Sequence, residues 1–246
     1  MGLPAMRGLM DRRLLVNFAV DPEVAGKLLP PPFSPKLVGD RAVAGICLIR
    51  LVDMRPSPLP AVAGITSENA AHRIAVVWRE DDVEREGVFI PRRDTSSRLG
   101  AMLGGKVFPG VLHHARFDVD ESDPRYRVGF RSDDGTASVV VSGRRAEALP
   151  GTSVFSSLAQ ASDFFESGSA GYSVTRDPQR FDGVRLKAHG WKVEPFEVAE
   201  VRSTFFEDVS LFPPGSASFD NALLMRRLDH EWDALPALRA PLDVVA

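Results

Sequence analysis

The chain has 246 residues, 44% of them hydrophobic and 26% charged, with a formal net charge of -3. That is the composition of an ordinary globular protein with enough chain for a sizeable core. The slight negative charge argues against a general nucleic-acid binder, which would be basic. No apolar run reaches the length of a membrane-spanning helix, and the N-terminus lacks the apolar core of a secretory signal. We therefore expect no nucleic-acid and no membrane partner, and a cytoplasmic location. Cys47 is the single cysteine; it cannot form an intrachain disulfide, which suits a reducing compartment.

Most segments have strand character. Arg12–Val20 is the first candidate strand. Asp21 then caps a short helix with Pro22 in its first turn, and Pro30 stops it. Arg41–Val52 is a nearly continuous apolar run, expected to be a strand buried on both faces and to hold Cys47. Glu68–Trp78 and Val83–Ile90 follow as a hairpin, its turn in the charged stretch between them. Asp94 is placed to cap a helix ending at Gly104–Gly105. Val111–Val119, Tyr126–Ser132 and Ala137–Ala146 read as a meander, with Asp133-Asp134-Gly135 as one hairpin turn. Phe155–Glu166 has the clearest helical period and Gly168 ends it. Further strands lie within Leu186–Phe206 and Phe219–Leu228. The proline clusters fall at corners between elements and no polar linker separates them, so residues 1–246 read as one domain. Its class is α+β, mainly antiparallel β, with sheets curled around a cavity.

No strong catalytic or cofactor motif is present, neither a phosphate-binding loop nor a dinucleotide fingerprint, nor a nucleophile elbow. No cofactor is expected. The five histidines show no zinc-protease spacing, and no metal ligand set is assigned. Glu68, Ala70, His72 and Ile74 share one face of their predicted strand. Glu68 and His72 there make either an acid/base pair lining a cavity, or a solvated strand end or structural ion pair. Arg92, Arg93 and Arg98 surround the predicted helix start, where guanidinium forks and free N–H groups suit an anion such as a carboxylate or phosphate. They suit surface salt bridges equally well. His113 and His114 are adjacent on a strand and must face opposite ways, so only one can enter a given site. Lys106 is either a nucleophile in an apolar setting or an exposed cation at a helix end. Trp191 and Trp232 suit either the core or a cavity wall.

The segments LLVNFAVDPEVAGKLLPPPF, SENAAHR and GVFIPRRDTSSRLGAMLGGKVFPG resemble the YqjF-like proteins, an uncharacterised bacterial group of the acetoacetate decarboxylase-like superfamily. The resemblance runs from about Asp11 to about Trp232. It implies one curled antiparallel sheet around a central cavity, a small-molecule ligand and a homo-oligomer. In the decarboxylases a buried lysine forms a Schiff base with a β-keto acid and a neighbouring lysine lowers its pKa, while a glutamate and an arginine bind and orient the substrate. Glu68 falls where one family glutamate lies. The second glutamate belongs on the strand written here AVAGICLIRL, which has no acid. The family arginine falls near Asp11-Arg12-Arg13. The tandem lysines follow a proline, where this chain has Pro109-Gly110-Val111-Leu112-His113-His114; Lys106 precedes the proline and is out of register. A Schiff-base decarboxylase is therefore not expected.

Two functional readings follow. In the first, the protein is a lyase- or hydratase-like enzyme acting on a small carboxylated carbonyl compound by non-covalent acid/base chemistry. Glu68 and His113 or His114 would be catalytic, and Arg92, Arg93, Arg98, His72 and Lys106 would bind the anionic substrate. In the second, it is a non-catalytic ligand-binding protein that has lost the Schiff-base lysine. A fold-level resemblance cannot choose between them.

Overall fold

The computed structural model describes residues 5–240. Thirteen strands and three short helices alternate along them. β1 is Met6–Val20, and α1 (Pro22–Lys27) follows at once because Asp21 accepts hydrogen bonds from the amides of Glu23 and Val24. This is the cap expected from the sequence. β2 (Ser34–Pro35) and β3 (Leu37–Val38) are two-residue strands. β4 (Arg41–Pro56), β5 (Ile65–Glu80) and β6 (Val83–Thr95) are long. α2 (Arg98–Met102) is a single turn. β7 (His113–Ser122), β8 (Arg125–Ser132) and β9 (Ser138–Arg145) form the meander, with Asp133-Asp134-Gly135 in the turn between β8 and β9. α3 (Leu158–Ser167) is capped by Ser157 and ends at Gly168. β10 (Ala170–Val174), β11 (Arg180–His189), β12 (Glu194–Ser203) and β13 (Ala217–Arg239) complete the chain.

All thirteen strands belong to one sheet, which curls back on itself. The pairings close two rings that share β13, β1, β4, β5 and β6. Pairing of β6 with β10, β10 with β11 and β11 with β13 closes a seven-stranded ring. Pairing through β7, β8, β9 and β12 closes a larger ring on the other face. Almost all neighbours are antiparallel; β6 runs parallel to both β7 and β10.

Both faces of the shared strands are therefore covered, and the sequence shows it. On β1, Leu14, Val16 and Phe18 enter one apolar cluster with the meander, α1 and a set of phenylalanines. Leu15 and Met10 enter the other with Cys47, α3 and Trp232. Continuous burial of both faces explains why β1 and β4 read as apolar runs instead of alternating ones.

The helix expected from Asp94 starts later than the sequence suggested. Asp94 is still in β6, paired with Ala70 of β5 and His113 of β7, and its carboxylate receives the Arg92 fork at 2.9 and 2.8 Å. Ser97 caps α2 instead, accepting from the Gly100 amide at 3.0 Å. A carboxylate already held by a guanidinium and a backbone already in two ladders cannot also serve as a cap.

Candidate functional site

The seven-stranded ring encloses a pocket of about 90 Å³. Every strand of the ring contributes to its wall, from Met10 and Arg13 of β1 to Leu186 of β11 and Trp232 of β13. A second pocket of about 50 Å³ adjoins it beside α2 and shares Ile49, Ala71, Arg93 and Trp232. The wall is mostly apolar, with three guanidinium groups and the Cys47 thiol set into it.

Strand register puts them there. Cys47 of β4 pairs with Ala71 of β5, and Ala71 pairs with Arg93 of β6, so the three form one row across adjacent strands. The small Ala71 methyl leaves the space between thiol and guanidinium open. One row along, Asn17, Gly45 and Arg73 are in register. Gly45 is required: a Cβ there would lie 2.4 Å from the Val16 carbonyl oxygen and 3.3 Å from Arg73 Nη2. Its absence lets Arg73 lie across the strand to the Asn17 side-chain oxygen.

Arg93 faces the pocket because β6 is irregular. Val88 and Ile90 line the pocket, and strict alternation from them would send Arg92 inward. The β5–β6 register instead shifts between the His72 and Ile74 pairings, with one extra residue on β6. This bulge re-aims the strand, so that Arg93 enters the pocket and Arg92 leaves it.

The charges are unusual. Arg73 is 3% exposed, and its Nη1 has no hydrogen-bond partner among the described residues. Its Nε donates to Cys47 Sγ at 3.1 Å and its guanidinium lies 4.8 Å from the centre of the Phe165 ring. Arg13 Nη2 reaches Cys47 Sγ at 4.0 Å, Nε is unpartnered, and the guanidinium sits over Trp191 at 5.6 Å. Arg93 donates from Nε to Ser173 Oγ at 2.8 Å. Burial lowers the Arg93 guanidinium to about 10, a shift that the Cys47 charge partly opposes. Burial also pushes Arg13 below its ordinary value, with Arg73 adding to the effect. Among the described residues no carboxylate lines this pocket. In the adjoining one the acid is Asp94, already held by Arg92. Burial alone would raise the Cys47 thiol, but Arg73 and Arg13 outweigh it and hold the thiol below its ordinary value.

The residues singled out in the sequence are scattered. Of them, Arg93 lines the ring pocket. Glu68 and His72 do share a face, as the strand period implied, but it is the opposite one. Glu68 sits between Arg12 and Arg50, taking Arg50 Nε at 2.6 Å. Arg226, Arg12, Arg50 and Glu68 are in register across β13, β1, β4 and β5. Glu121 from β7 reaches across to Arg12, Arg50 and Arg226. With Asp11 at 4.0 Å from Arg50 and 3.8 Å from Arg226, three carboxylates offset three guanidiniums in an ion cluster that ties the two sides of the larger ring together. His72 is fully buried against Phe130 and Phe205, and burial, with nearby Arg92, depresses its ring to about 3. His113 and His114 are paired with Asp134 and Asp133 at 2.9 and 2.7 Å on the rim of the meander. Arg92 is held by Asp94, Asp134 and Ser132, and Arg98 and Lys106 are exposed. Among the described residues no cluster of His, Cys, Asp and Glu could hold a metal ion.

The position after Pro109 also has a structural explanation. Gly110 has φ +69°, and its amide donates to Asp182 at 3.1 Å. A Cβ there would lie 2.5 Å from the Val174 carbonyl oxygen. No side chain fits, and therefore no lysine. Sequence reasoning missed Arg13, Arg73 and Cys47. The available signal was arginine embedded in continuous apolar runs, at Arg13 before Leu14-Leu15-Val16 and at Arg73 before Ile74-Ala75-Val76.

The curled, mainly antiparallel sheet is the fold of the acetoacetate decarboxylase-like proteins. Solved structures agree on the fold. The acetoacetate decarboxylase of Legionella pneumophila subsp. pneumophila superposes with TM-score 0.61 at 12% identity, covering 99% of this chain and 90% of that one. An acetoacetate decarboxylase-like enzyme from Sphingomonas wittichii RW1 gives 0.56 at 13% identity, covering 95% and 92%. The enduracididine biosynthesis enzyme MppR, complexed with the condensation product of pyruvate and imidazole 4-carboxaldehyde, gives 0.60 at 10%, covering 98% and 90%. No curated protein matches the chain in sequence. Residues 10–223 match the family model DUF2071, "Uncharacterized conserved protein (COG2071)", and the chain belongs to that family. No helix among the described residues is long and apolar enough to cross a membrane.

Proposed function

We propose that the protein binds a small organic carboxylate inside the seven-stranded ring, without lysine imine chemistry. The observation that carries this reading is the group of three guanidiniums, Arg13, Arg73 and Arg93, lining one mostly apolar pocket with no carboxylate partner among the described residues. Buried charge without a counter-ion is costly. An anionic ligand removes that cost and uses the free N–H donors of Arg13 and Arg73. A pocket of about 90 Å³ has room for several water molecules, so the ligand is small. One structural neighbour, MppR, is described in complex with pyruvate, itself a small carboxylate.

The acid/base version of an enzyme has less support. Glu68 is paired with Arg12, and His113 and His114 each contact an aspartate, all away from the ring pocket. The test is thermal unfolding with a panel of small monocarboxylates and their neutral amides. Carboxylates are expected to raise the melting temperature of the wild type and amides are not. Equal effects of acid and amide would sink the proposal.

A further inference from the structure

We propose that Cys47 is a nucleophilic site within the same pocket, directed at small carboxylates that carry an electrophilic carbon next to the carboxylate. The inference rests on the carboxylate reading above and adds a reactive group to it. A buried cysteine alone would be read as a small apolar core residue. Here two further observations point to a ligand. Cys47 Sγ accepts from Arg73 Nε at 3.1 Å and lies 4.0 Å from Arg13 Nη2, so two cations address one sulfur. Arg73, 3% exposed, lines the same pocket, and its Nη1 is a buried donor with no hydrogen-bond partner among the described residues.

The register supplies the geometry. Cys47 and Arg93 flank Ala71 in one row, and neighbouring strands are about 4.8 Å apart. A carboxylate on the Arg93 side therefore places its α-carbon over the Ala71 methyl, toward the sulfur. Cations beside a thiol favour the thiolate, which is the nucleophilic form. The thiol proton leaves to solvent. With a 2-oxo carboxylate the thiolate adds to the carbonyl carbon, forming the C–S bond. The C=O π pair moves onto oxygen, facing the free guanidinium N–H groups, and the alkoxide takes a proton from water. The product is a thiohemiketal, and no oxidant or further reactant is needed. With iodoacetate the same thiolate displaces iodide: the C–S bond forms and the C–I pair leaves with iodine.

Iodoacetate and iodoacetamide separate the two parts of the idea. Cys47 is the only cysteine, so intact-mass measurement of native protein reads one site. A cationic pocket concentrates the anionic reagent, so iodoacetate should alkylate Cys47 about tenfold or more faster than iodoacetamide. Arg93→Met and Arg73→Met should each abolish that preference. Pyruvate should slow the reaction more than propionate, which has the carboxylate but no electrophilic carbon. If neither reagent modifies native protein while both modify unfolded protein, the nucleophile is overturned; the carboxylate reading is then judged by its own thermal assay. If iodoacetamide reacts as fast as iodoacetate, Cys47 is reactive but undirected and the proposal is overturned, while the carboxylate reading is again judged by its own thermal assay.

Discussion

Replacing Arg93 by methionine should stabilise the ligand-free protein and remove its response to carboxylates. Burial holds the Arg93 guanidinium at about 10 against an ordinary 12.5. That difference is about 3 kcal/mol held against the charged form at neutral pH. The folded pKa lies below the unfolded one, so the penalty is present at neutral pH and is relieved only as pH rises through about 10. Methionine keeps the apolar stem of the side chain and drops the charge, at the cost of the 2.8 Å hydrogen bond to Ser173. That bond contributes about 1 kcal/mol. The net gain is about 2 kcal/mol, or roughly 4–8 °C in melting temperature for a chain of this size. In wild type, a carboxylate at about 100 times its dissociation constant should add about 2.7 kcal/mol; the variant should lose most of that. The assay is thermal unfolding of both proteins with and without ligand, in a buffer whose anions are too large for the pocket. A variant less stable than wild type without ligand, or one with an unchanged carboxylate shift, would refute the argument that Arg93 is an unpaired charge kept for binding.

Glu68→Gln should behave in the opposite way. It breaks the centre of the ion cluster with Arg12 and Arg50, and should lower unfolding free energy by about 2–4 kcal/mol in urea titration. Its carboxylate-induced melting shift should equal that of wild type, and loss of the shift would return Glu68 to the binding site. His72 is held neutral to about 3 by burial, so its stabilising contribution is complete above the unfolded value near 6.5 and declines as pH falls toward 3, with a slope of about 1.4 kcal/mol per pH unit. His72→Phe should flatten that part of the acid limb of a stability–pH curve; an unchanged limb would show that His72 is not the group responsible. Incubation with acetoacetate and borohydride should leave the intact mass unchanged, because Gly110 admits no side chain and Lys106 is exposed. A stoichiometric adduct on Lys106 would restore an imine mechanism.

Much of the fold was legible in the sequence because its signals are local. Asp21-Pro22 starts α1, Gly168 ends α3, and Asp133-Asp134-Gly135 turns the meander, each through the backbone preferences of a few adjacent residues. The apolar run around Cys47 correctly gave a strand buried on both faces. The period-two pattern correctly put Glu68 and His72 on one face of β5. What it could not give was which face encloses the pocket. That depends on β10 and β11 closing the smaller ring against β6 and β13, pairings between residues far apart in the chain. Nor could it show that one extra residue in β6 turns Arg93 inward and Arg92 outward, because a bulge is defined only against its partner strand. The sequence alone determined the strand content, the Asp21 cap and the absence of a lysine after Pro109. Ring closure and register, set by long-range pairing, decided that Arg13, Arg73, Arg93 and Cys47 share one pocket, while Glu68 closes an ion cluster behind it.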